Sequence, residues 1–458
     1  MKSSRARVRS NTREIGQIVF EDQRLTAFAG LMIFHRLFRV LDLKASLGRC
    51  FRHLTTTPIF GHARVFLLLV VHLLLGFREL RQLRYYAEDP MVARVLGLSR
   101  LPDVATVSRT LSSLDARSVE SLAMLNAEQV CERLAALALE QVTLDFDGSV
   151  VGTRRHAEGT AVGFNPRRKG QRSYYPQLCT VAQTGQVLAV LPRPGNVHDS
   201  NGARAFIGAC IERVRQALPE AGIEVRMDSA FFSDELVSDL EALGVGYSLS
   251  VAFEHFAELK ERIEQRRRWS RIDRERSAFE RRWAPKSWSR KRRFVFVRQQ
   301  VQRPIKGPLQ LDLFQPREQG FDFKVIVTNK AEALAHLVAF HDGRGAQEGL
   351  FAELKADNGF AYVPTRTWLG NRTYMLAAVF AHNLTRELQM RTHSPTRSDS
   401  SKRTALWDFR RLDTLRQNLL HRAGRIIRPQ GRLTLSMNAN NRVQKELLQY
   451  LEALDVAA

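Results

Sequence analysis

Two aspartates stand where apolar segments end. Asp147 closes the segment Leu-Asp-Phe-Asp, and Asp228 closes Val-Arg-Met-Asp. Both segments have the β-branched and apolar composition of strands. A carboxylate at the C-terminal edge of a strand lies in the crevice where open α/β sheets bind ligands. Asp145 shares a face with Asp147, because strand side chains alternate, so it is an alternative for the first position. Taken singly, each aspartate also fits a turn or a helix cap.

A third carboxylate comes from a later predicted helix, in which Glu348 and Glu353 are both available. At about 100° per residue, Glu348 lies within roughly 40° of Arg344, whereas Glu353 lies on the far side. Lys355 falls on the stripe of Arg344 and Glu348, and so does His341 if the helix begins early enough. We therefore choose Glu348. The same spacing also fits a solvent-exposed face with an ion pair between Arg344 and Glu348.

The chain as a whole is strongly basic. It has 458 residues with 70 Lys and Arg against 47 Asp and Glu, a formal net charge of +23. A large chain this basic typically meets a polyanion, most often nucleic acid. Clustered carboxylates repel one another unless cations neutralise them, and Mg²⁺ prefers oxygen ligands. Two such ions can activate an attacking hydroxyl and stabilise the leaving oxygen of a phosphoryl displacement, so the acids and the basic surface fit one function.

Composition excludes several classes of protein. The four cysteines form no Cys-x-x-Cys pair, which argues against a disulfide framework or a zinc ribbon and favours a reducing compartment. The longest apolar run, at 65–77, is shorter than the roughly 20 residues of a membrane span and predicts a buried helix. The basic N-terminus lacks the apolar region of a secretory signal, so we expect a cytoplasmic protein.

The order of predicted elements indicates a helical region followed by an α/β region. Up to about residue 140, apolar residues recur at three- and four-residue spacings. Within this region, 101–116 fits either the recognition helix of a helix-turn-helix or an ordinary amphipathic helix. From residue 141 the order β-β-β-α-β-α-β predicts a mixed sheet covered by helices. A basic stretch with interleaved Trp residues, further strands and two helices come next.

Three segments, in this order, resemble the motifs of bacterial insertion-sequence DDE transposases with an RNase H-like core: DFDGSVV, VRMDSAF and HDGRGAQEGLFAELK. The third is the most specific, because that branch carries a Tyr-x2-Arg-x3-Glu-x6-Lys signature. Arg344, Glu348 and Lys355 match it. His341 stands at the Tyr position, a departure that concerns a contact with the DNA backbone. The segment AVGFNPRRKGQRSYYP also resembles such transposases, and the resemblance spans about 140–390.

The resemblance implies an α/β fold: an RNase H-like mixed sheet flanked by helices, with an all-helical N-terminal region and a β-rich insertion domain. The expected regions are a helical DNA-binding region at 1–140, the first part of the catalytic core at 141–252, a basic β-rich insertion at 253–322, the second part of the core with the Glu helix at 323–391, and a linker with a C-terminal helical region at 392–458.

The resemblance also implies a reaction, its cofactors and its partners. Such transposases bind double-stranded DNA at the terminal inverted repeats of a mobile element. Metal-activated water then frees a 3′-OH, which attacks target DNA. By similarity, Asp147, Asp228 and Glu348 hold two Mg²⁺ ions, for which Mn²⁺ can substitute. We expect a homodimer or a larger assembly in the synaptic complex, no membrane, and a location with the bacterial nucleoid.

Further residues are candidates for DNA contact. The complete expected set is Arg344, Lys355, His341, Arg167, Arg168, Lys169, Arg172, Trp269 and Trp288. The Trp residues stand in a basic stretch, and aromatic rings can stack on an unpaired or flipped base. That stretch also fits a solvated charged helix whose Trp residues anchor a small core, and Trp283 is a further candidate. For Asp199, after the third strand, we favour a helix cap over a place near the site.

Two other functions remain open from the sequence. One is a structure-specific nuclease on the same core that cuts DNA without joining it. The other is a DNA-binding regulator with an inactive core. The intact acidic trio argues against the regulator, and the Arg344, Glu348 and Lys355 stripe argues against the nuclease.

Overall fold

The computed structural model of the chain describes residues 23–56, 58–163, 165, 168–301 and 320–456. A short strand and a set of helices form its N-terminal region. They are β1 (Leu25–Thr26), α1 (Met32–Val40), α2 (Leu43–Cys50), α3 (His62–Leu74), α4 (Pro90–Leu96), α5 (Val104–Ser112) and α6 (Ala116–Leu137). Helix α5 covers the segment for which two alternatives were open. Asp103 caps it, and Val107, Thr110 and Leu111 form its buried face.

A mixed sheet follows, with helices against it. Its elements, with a small separate sheet of β3, β4 and β5, are β2 (Gln141–Gly148), β3 (Val151–Gly152), β4 (Ala161–Val162), β5 (Arg172–Tyr174), β6 (Gln177–Val181), β7 (Gln186–Leu191), α7 (Ala203–Ala217), β8 (Gly222–Met227), α8 (Asp234–Ala242) and β9 (Gly246–Val251). The strand order is β7-β6-β2-β8-β9. Strands β2, β8 and β9 are parallel, and β6 and β7 are antiparallel.

The two faces of β2 point into different surroundings. Val142, Leu144 and Phe146 point into a core that is shared with α6, α7 and α8. Because side chains alternate, Asp145 and Asp147 point to the opposite face. The predicted fold class, a mixed α/β sheet flanked by helices after a helical N-terminal region, is confirmed.

The predicted insertion continues the central sheet. Its elements are α9 (Ala257–Glu264), β10 (Ser270–Arg271), β11 (Arg276–Trp283), β12 (Arg292–Gln300) and β13 (Phe321–Thr328). Strand β13 pairs antiparallel with β9, and β12, β11 and β10 follow outward. In the described residues, the strands of 253–322 therefore extend the central sheet and form no second sheet of their own. The residues between β12 and β13 lie largely outside the described ranges.

The chain then returns to the helical region. The last elements are α10 (Leu334–Asp342), α11 (Ala346–Ala356), α12 (Trp368–Thr392), α13 (Leu412–Leu415), β14 (Gly424–Ile427), β15 (Thr434–Met437) and α14 (Asn441–Val456). Strand β14 pairs with β1, so the two ends of the described chain share one sheet. The side chain of Arg416 donates to the carbonyls of Leu73 and Leu74 at the end of α3, at 2.6 and 2.8 Å.

The segment expected as a linker is packed on the core. Leu406 and Trp407 are buried, and the carbonyls of Lys402 and Arg403 accept hydrogen bonds from Arg226 of β8. The apolar run at 65–77 forms α3, whose side chains from Val65 to Leu74 are all buried, as predicted. Within the described ranges, the structure has no helix with both the length and the apolar character to cross a membrane.

Candidate active site

Asp147 and Asp228 meet at the carboxyl ends of two neighbouring strands. Strand β2 runs parallel to β8 with Phe146 opposite Met227, so the next residue of each strand is an aspartate. Burial is the main cause that raises the pKa of Asp147 to about 6, and the charge of Asp228 adds to it. The pKa of Asp228 is also raised, mainly by burial. The two carboxylates thus share a partly desolvated crevice.

Arg344 supplies a positive charge to this crevice. Its Nη1 lies 3.1 Å from Oδ2 of Asp147, and its charge lowers the pKa of both aspartates against the effect of burial. The residue lies in a single 3₁₀ turn, Gly343–Gly345, between α10 and α11. That turn breaks the helix that the sequence predicts to run through Arg344, and it aims the guanidinium at the end of β2.

Asp145 is engaged elsewhere and is not free to act as a metal ligand. Its two carboxylate oxygens accept hydrogen bonds from Nε and Nη2 of Arg226 at 2.6 and 2.8 Å. The side chains are 3% and 0% exposed, so the pair is fully buried. Nη1 of Arg226 also donates to the carbonyl of Phe340 at 2.9 Å. This favours Asp147 over Asp145 for the first position.

Glu348 is placed on the right helix but not beside the two aspartates. It lies in the first turn of α11 and is exposed. Its neighbour Gln347 faces the sheet, where Nε2 donates to the carbonyl of Asp145 at 2.9 Å and to Oγ1 of Thr180 at 3.0 Å. Across the described ranges, no three acidic, His or Cys side chains are arranged to hold one metal ion. The structure brings Asp147 and Asp228 together and leaves Glu348 outside the pair.

The structure adds Asp199 to the site, where the sequence favoured a helix cap. That expectation is wrong, because α7 is preceded at its N-cap by Gly202. Asp199 instead accepts hydrogen bonds from Nη2 of Arg193 and the hydroxyl of Tyr175, each at 2.9 Å. Its charge contributes to the raised pKa of Asp147. The only signal in the sequence was its position after the third strand.

Gly148 allows Tyr175 and Asp199 to lie close to the end of β2. A Cβ at Gly148 would stand 2.5 Å from the Tyr175 hydroxyl and 2.7 Å from Oδ1 of Asp199. Any side chain here would push the loop of Asp199 away from the end of β2. The glycine of the first motif therefore has a packing reason beside the catalytic candidate Asp147.

His341 does not face DNA. It is 2% exposed at the end of α10, and its Nδ1 and Nε2 are bonded to the hydroxyls of Ser248 and Ser250 at 3.0 and 2.9 Å. Burial lowers the pKa of His341 well below its ordinary value, so the ring is neutral. The expected contact with the DNA backbone is thus contradicted: the 3₁₀ turn separates His341 from the stripe of Arg344.

Lys355 and Glu353, the remaining residues of the third motif, lie on different sides of α11, as the helical geometry predicts. Lys355 is half-buried in the last turn of α11. Glu353 lies on the opposite side, where it is buried against α12 with one oxygen 2.5 Å from Nη2 of Arg386. Glu353 is therefore a packing residue, and the choice of Glu348 over Glu353 agrees with this placement.

The basic residues of the loop after the first motif have different surroundings. Arg167 lies outside the described residues. Arg168 and Lys169 are exposed. Arg172 donates from Nε to Oγ1 of Thr160 at 3.0 Å, so it helps to hold the small sheet together. Of the three described basic residues, two are available to a phosphate backbone as they stand.

The tryptophans of the basic stretch pack within the extended sheet. Trp269 contacts Phe279 with ring centroids 4.7 Å apart, and Arg298 lies 4.8 Å over its ring. Trp288 contacts Phe232 at 4.6 Å, and Arg292 lies 4.9 Å over its ring. Trp283, the further candidate, is buried. The Trp residues do anchor a core, but it is the core of the large sheet, and the stretch contains strands β10 and β11 in place of the charged helix of that alternative. A stacked base at Trp269 or Trp288 would have to displace these contacts.

The donor set fits a hard divalent cation. Asp147 and Asp228 offer carboxylate oxygens, and Mg²⁺ is usually bound by one or two carboxylates together with phosphate oxygens of a substrate. The raised pKa values show that the two negative charges are poorly compensated in the protein alone. A bound cation would supply that compensation.

The raised pKa of Asp147 predicts how stability changes with pH when no metal is bound. Its value of about 6 lies above the ordinary 3.8, so folding favours the neutral carboxyl. The stability that the folded protein gains from a neutral Asp147 is fully present below pH ~4 and is lost as the pH rises through 6. We expect Asp147→Asn to be more stable than the wild type at pH 7.5 by up to about 3 kcal/mol, and to lose this advantage at pH 4. Urea unfolding in EDTA measures it.

The exposed Asp239 of α8 gives the matched control. Asp239→Asn removes the same charge from a carboxylate that is paired with Arg204, so it should not give the gain in stability at pH 7.5 that is expected for Asp147→Asn. A stability difference for Asp147→Asn that stays constant over this range would contradict the poorly compensated charge at Asp147.

Comparison with known proteins places the chain in a family. The family model for the Transposase DDE domain group 1 matches residues 10–457. No curated protein sequence matches. Among solved structures, the chain is similar to the piggyBac transposase in a synaptic complex with hairpin DNA (12% identity, TM-score 0.40, 85% of this chain and 80% of that one) and to the Mos1 mariner paired-end complex with Mn (15%, 0.18, 34% and 52%). The chain belongs to the DDE transposase domain family, whose enzymes cleave DNA and transfer its strands.

Proposed function

We propose that this transposase moves an insertion sequence. It binds the terminal inverted repeats of the element as duplex DNA, hydrolyses a phosphodiester bond with the help of Mg²⁺, and joins the freed 3′-OH to target DNA. One observation carries the proposal: Asp147 and Asp228 lie side by side at the ends of parallel strands, with raised pKa values and one arginine nearby.

Asp147 and Asp228 would hold the metal ions, with Mn²⁺ able to replace Mg²⁺. When bound, the ions activate the attacking oxygen and stabilise the leaving oxygen of the scissile phosphate. Glu348 would be the third ligand. It lies one turn beyond Arg344 on an exposed helix start, so a change at the Gly343–Gly345 turn would be needed to bring it to the pair.

Arg344 has two partners in this proposal. In the protein alone its guanidinium bonds Asp147. A cation at Asp147 would compete with that bond, and the freed guanidinium would then hold a phosphate next to the cleaved one, because arginine matches phosphate geometry with its fixed fork of donors. Lys355, in the last turn of α11, would add a second positive charge farther along the DNA.

The protein acts on two DNA ends at once, which implies at least two protomers in the synaptic complex. The net charge of +23 favours sequence-independent attraction to DNA. Sequence-specific recognition of the repeats would come from base contacts, for which the exposed side of α5 with Thr106 and Arg109 is a candidate.

An end-joining assay tests the proposed function. The protein is incubated with Mg²⁺, a labelled duplex from the inverted repeat that flanks the coding region, and a supercoiled plasmid. Joined product is the expected result. Cleavage without joining would favour a nuclease, and a gel shift without cleavage would favour a regulator. Parallel reactions with EDTA and with Mn²⁺ separate metal dependence from metal identity.

A further inference from the structure

A cleft of about 800 Å³ lies between helix α5 and the segments that carry Arg155 and Arg366. Ser108 and Ser112 of α5 form one wall. Arg155 and His156, in the loop after β3, and Arg366, before α12, form the other. These residues come from three distant parts of the chain, so the cleft exists only in the folded protein.

The chemistry of the lining suits a phosphate backbone. Arg155, His156 and Arg366 are exposed, and none of the described residues that line the cleft carries a carboxylate. Neither arginine forms an ion pair within the described part of the chain. The nearest acid along the chain, Glu158, is engaged: its Oε2 accepts from the backbone N–H of Trp368 at 2.8 Å. The cleft therefore offers N–H and O–H donors and positive charge.

The walls are held in place by buried hydrogen bonds. Oδ1 of Asn371 accepts from the N–H of Thr365 at 3.0 Å, and its Nδ2 donates to the Tyr174 hydroxyl at 3.0 Å. Tyr174 belongs to β5, which pairs with β3. The backbone N–H of Glu158 donates to the carbonyl of Arg366 at 2.9 Å. The two arginine-bearing segments are thus tied to each other before any ligand arrives, which lowers the entropic cost of binding.

We infer that this cleft binds the phosphodiester backbone of duplex DNA beside the cleavage site. The inference rests on the proposed function, because it assigns the path of the substrate that the active site cuts. Serine and arginine here contact phosphates and leave the bases unread, so the cleft sets position and contributes no sequence preference.

The chain itself limits how far the cleft lies from the site. Arg155 is eight residues beyond Asp147. At no more than about 3.6 Å per residue, their Cα atoms are at most roughly 29 Å apart. Phosphates follow each other every 3.4 Å along one strand of B-DNA. With the reach of the two side chains added, the phosphates bound at Arg155 therefore lie within roughly a dozen base pairs of the scissile one.

Salt-dependent binding tests the inference. The double variant Arg155→Gln/Arg366→Gln is compared with the wild type by fluorescence anisotropy, using a labelled 30-bp duplex of random sequence between 50 and 300 mM NaCl. Two lost phosphate contacts should reduce the slope of log Kd against log salt by about 1.8 and weaken binding on the order of tenfold at low salt.

The matched control is Arg204→Gln/Arg215→Gln, which removes the same charge from α7. Arg204 is already bonded to Asp239 and Arg215 to the carbonyl of Leu243, so the slope should stay at its wild-type value. Equal slopes for the cleft variant and the wild type, with unchanged circular dichroism, would overturn the cleft assignment alone. Wild-type protein that binds no duplex would overturn the proposed function as well.

A second measurement locates the contacts. Neutral methylphosphonates are placed singly in an inverted-repeat duplex. Within roughly a dozen base pairs of the cleaved bond, neutralising some position should weaken the wild type and have no effect on the cleft variant, since coupled groups do not add. Equal losses for both proteins at every position would exclude the cleft from the DNA path.

Discussion

Asp228→Asn is expected to lower the rate of DNA end cleavage by at least about a thousandfold while DNA affinity stays unchanged. Asp228 follows β8 and shares its crevice with Asp147. A metal-held transition state owes several kcal/mol to its ligands, and about 4 kcal/mol corresponds to a factor of a thousand. Asparagine has the same shape, and its side-chain oxygen can still accept the hydrogen bond from the N–H of Ala230. Single-turnover cleavage and anisotropy on the same labelled duplex measure both quantities.

Titration with Mn²⁺ in a calorimeter gives a reading that does not depend on activity. Asp228→Asn should bind Mn²⁺ at least about tenfold more weakly than the wild type. Asp239→Asn, a surface carboxylate on α8, should leave both cleavage and Mn²⁺ affinity as they are. If Asp228→Asn lost cleavage with unaltered Mn²⁺ affinity, or lost DNA binding while folded, its assignment as a metal ligand would fail.

Arg226→Met is expected to destabilise the protein by about 3–5 kcal/mol, because it leaves the carboxylate of Asp145 buried without its partner. The effect reaches further than one ion pair. Arg226 also bonds the carbonyls of Phe340 and Lys402, so it ties β8 to the end of α10 and to the segment before α13. Urea unfolding followed by circular dichroism gives the free energy of unfolding.

The double variant Asp145→Leu/Arg226→Met decides whether the pair acts as a unit. Removing both charges should recover part of the stability lost in Arg226→Met, since no buried carboxylate then remains uncompensated. If the double variant lost as much as the two single variants added together, the two side chains would not be coupled, and the destabilisation would come from the carbonyls alone.

Local pattern was sufficient to place the two aspartates. Each follows an apolar strand, and parallel neighbours bring their carboxyl ends to one edge of a sheet, as β2 and β8 do. The helix of Glu348 was also visible, and its periodicity correctly put Glu353 on the packed side. These features depend on residues that are close along the chain, which a sequence shows directly.

The features that the sequence periodicity did not predict depend on contacts between distant parts of the chain. The stripe that joined His341 to Arg344 assumed one helix, but the backbone turns at Gly343–Gly345. A Cβ at Gly343 would overlap the carbonyl oxygen of Lys402 and the guanidinium of Arg226, so only glycine fits where these segments cross. No periodicity in the sequence reports a contact with residues about 60 and 117 positions away.

Asp199 and the insertion illustrate the same limit. Asp199 reaches the site through bonds from Arg193 and Tyr175, partners that its loop sequence does not specify. The family resemblance implied that the strands of the insertion form a domain of their own. Their pairing through β13 to β9 is fixed by register between distant segments, and only the folded chain shows that they enlarge the catalytic sheet.

Arg416 and strand β14, which follow the catalytic sheet along the chain, complete the helical region. On the ribosome, the segment that carries α3 emerges more than 300 residues before the arginine that binds its last carbonyls. The sheet, whose core is built from residues 127–327, can form in the meantime. Newly made protein would therefore hold a folded catalytic sheet beside an unfinished helical body, and chaperones would meet the apolar face of α3 during this interval.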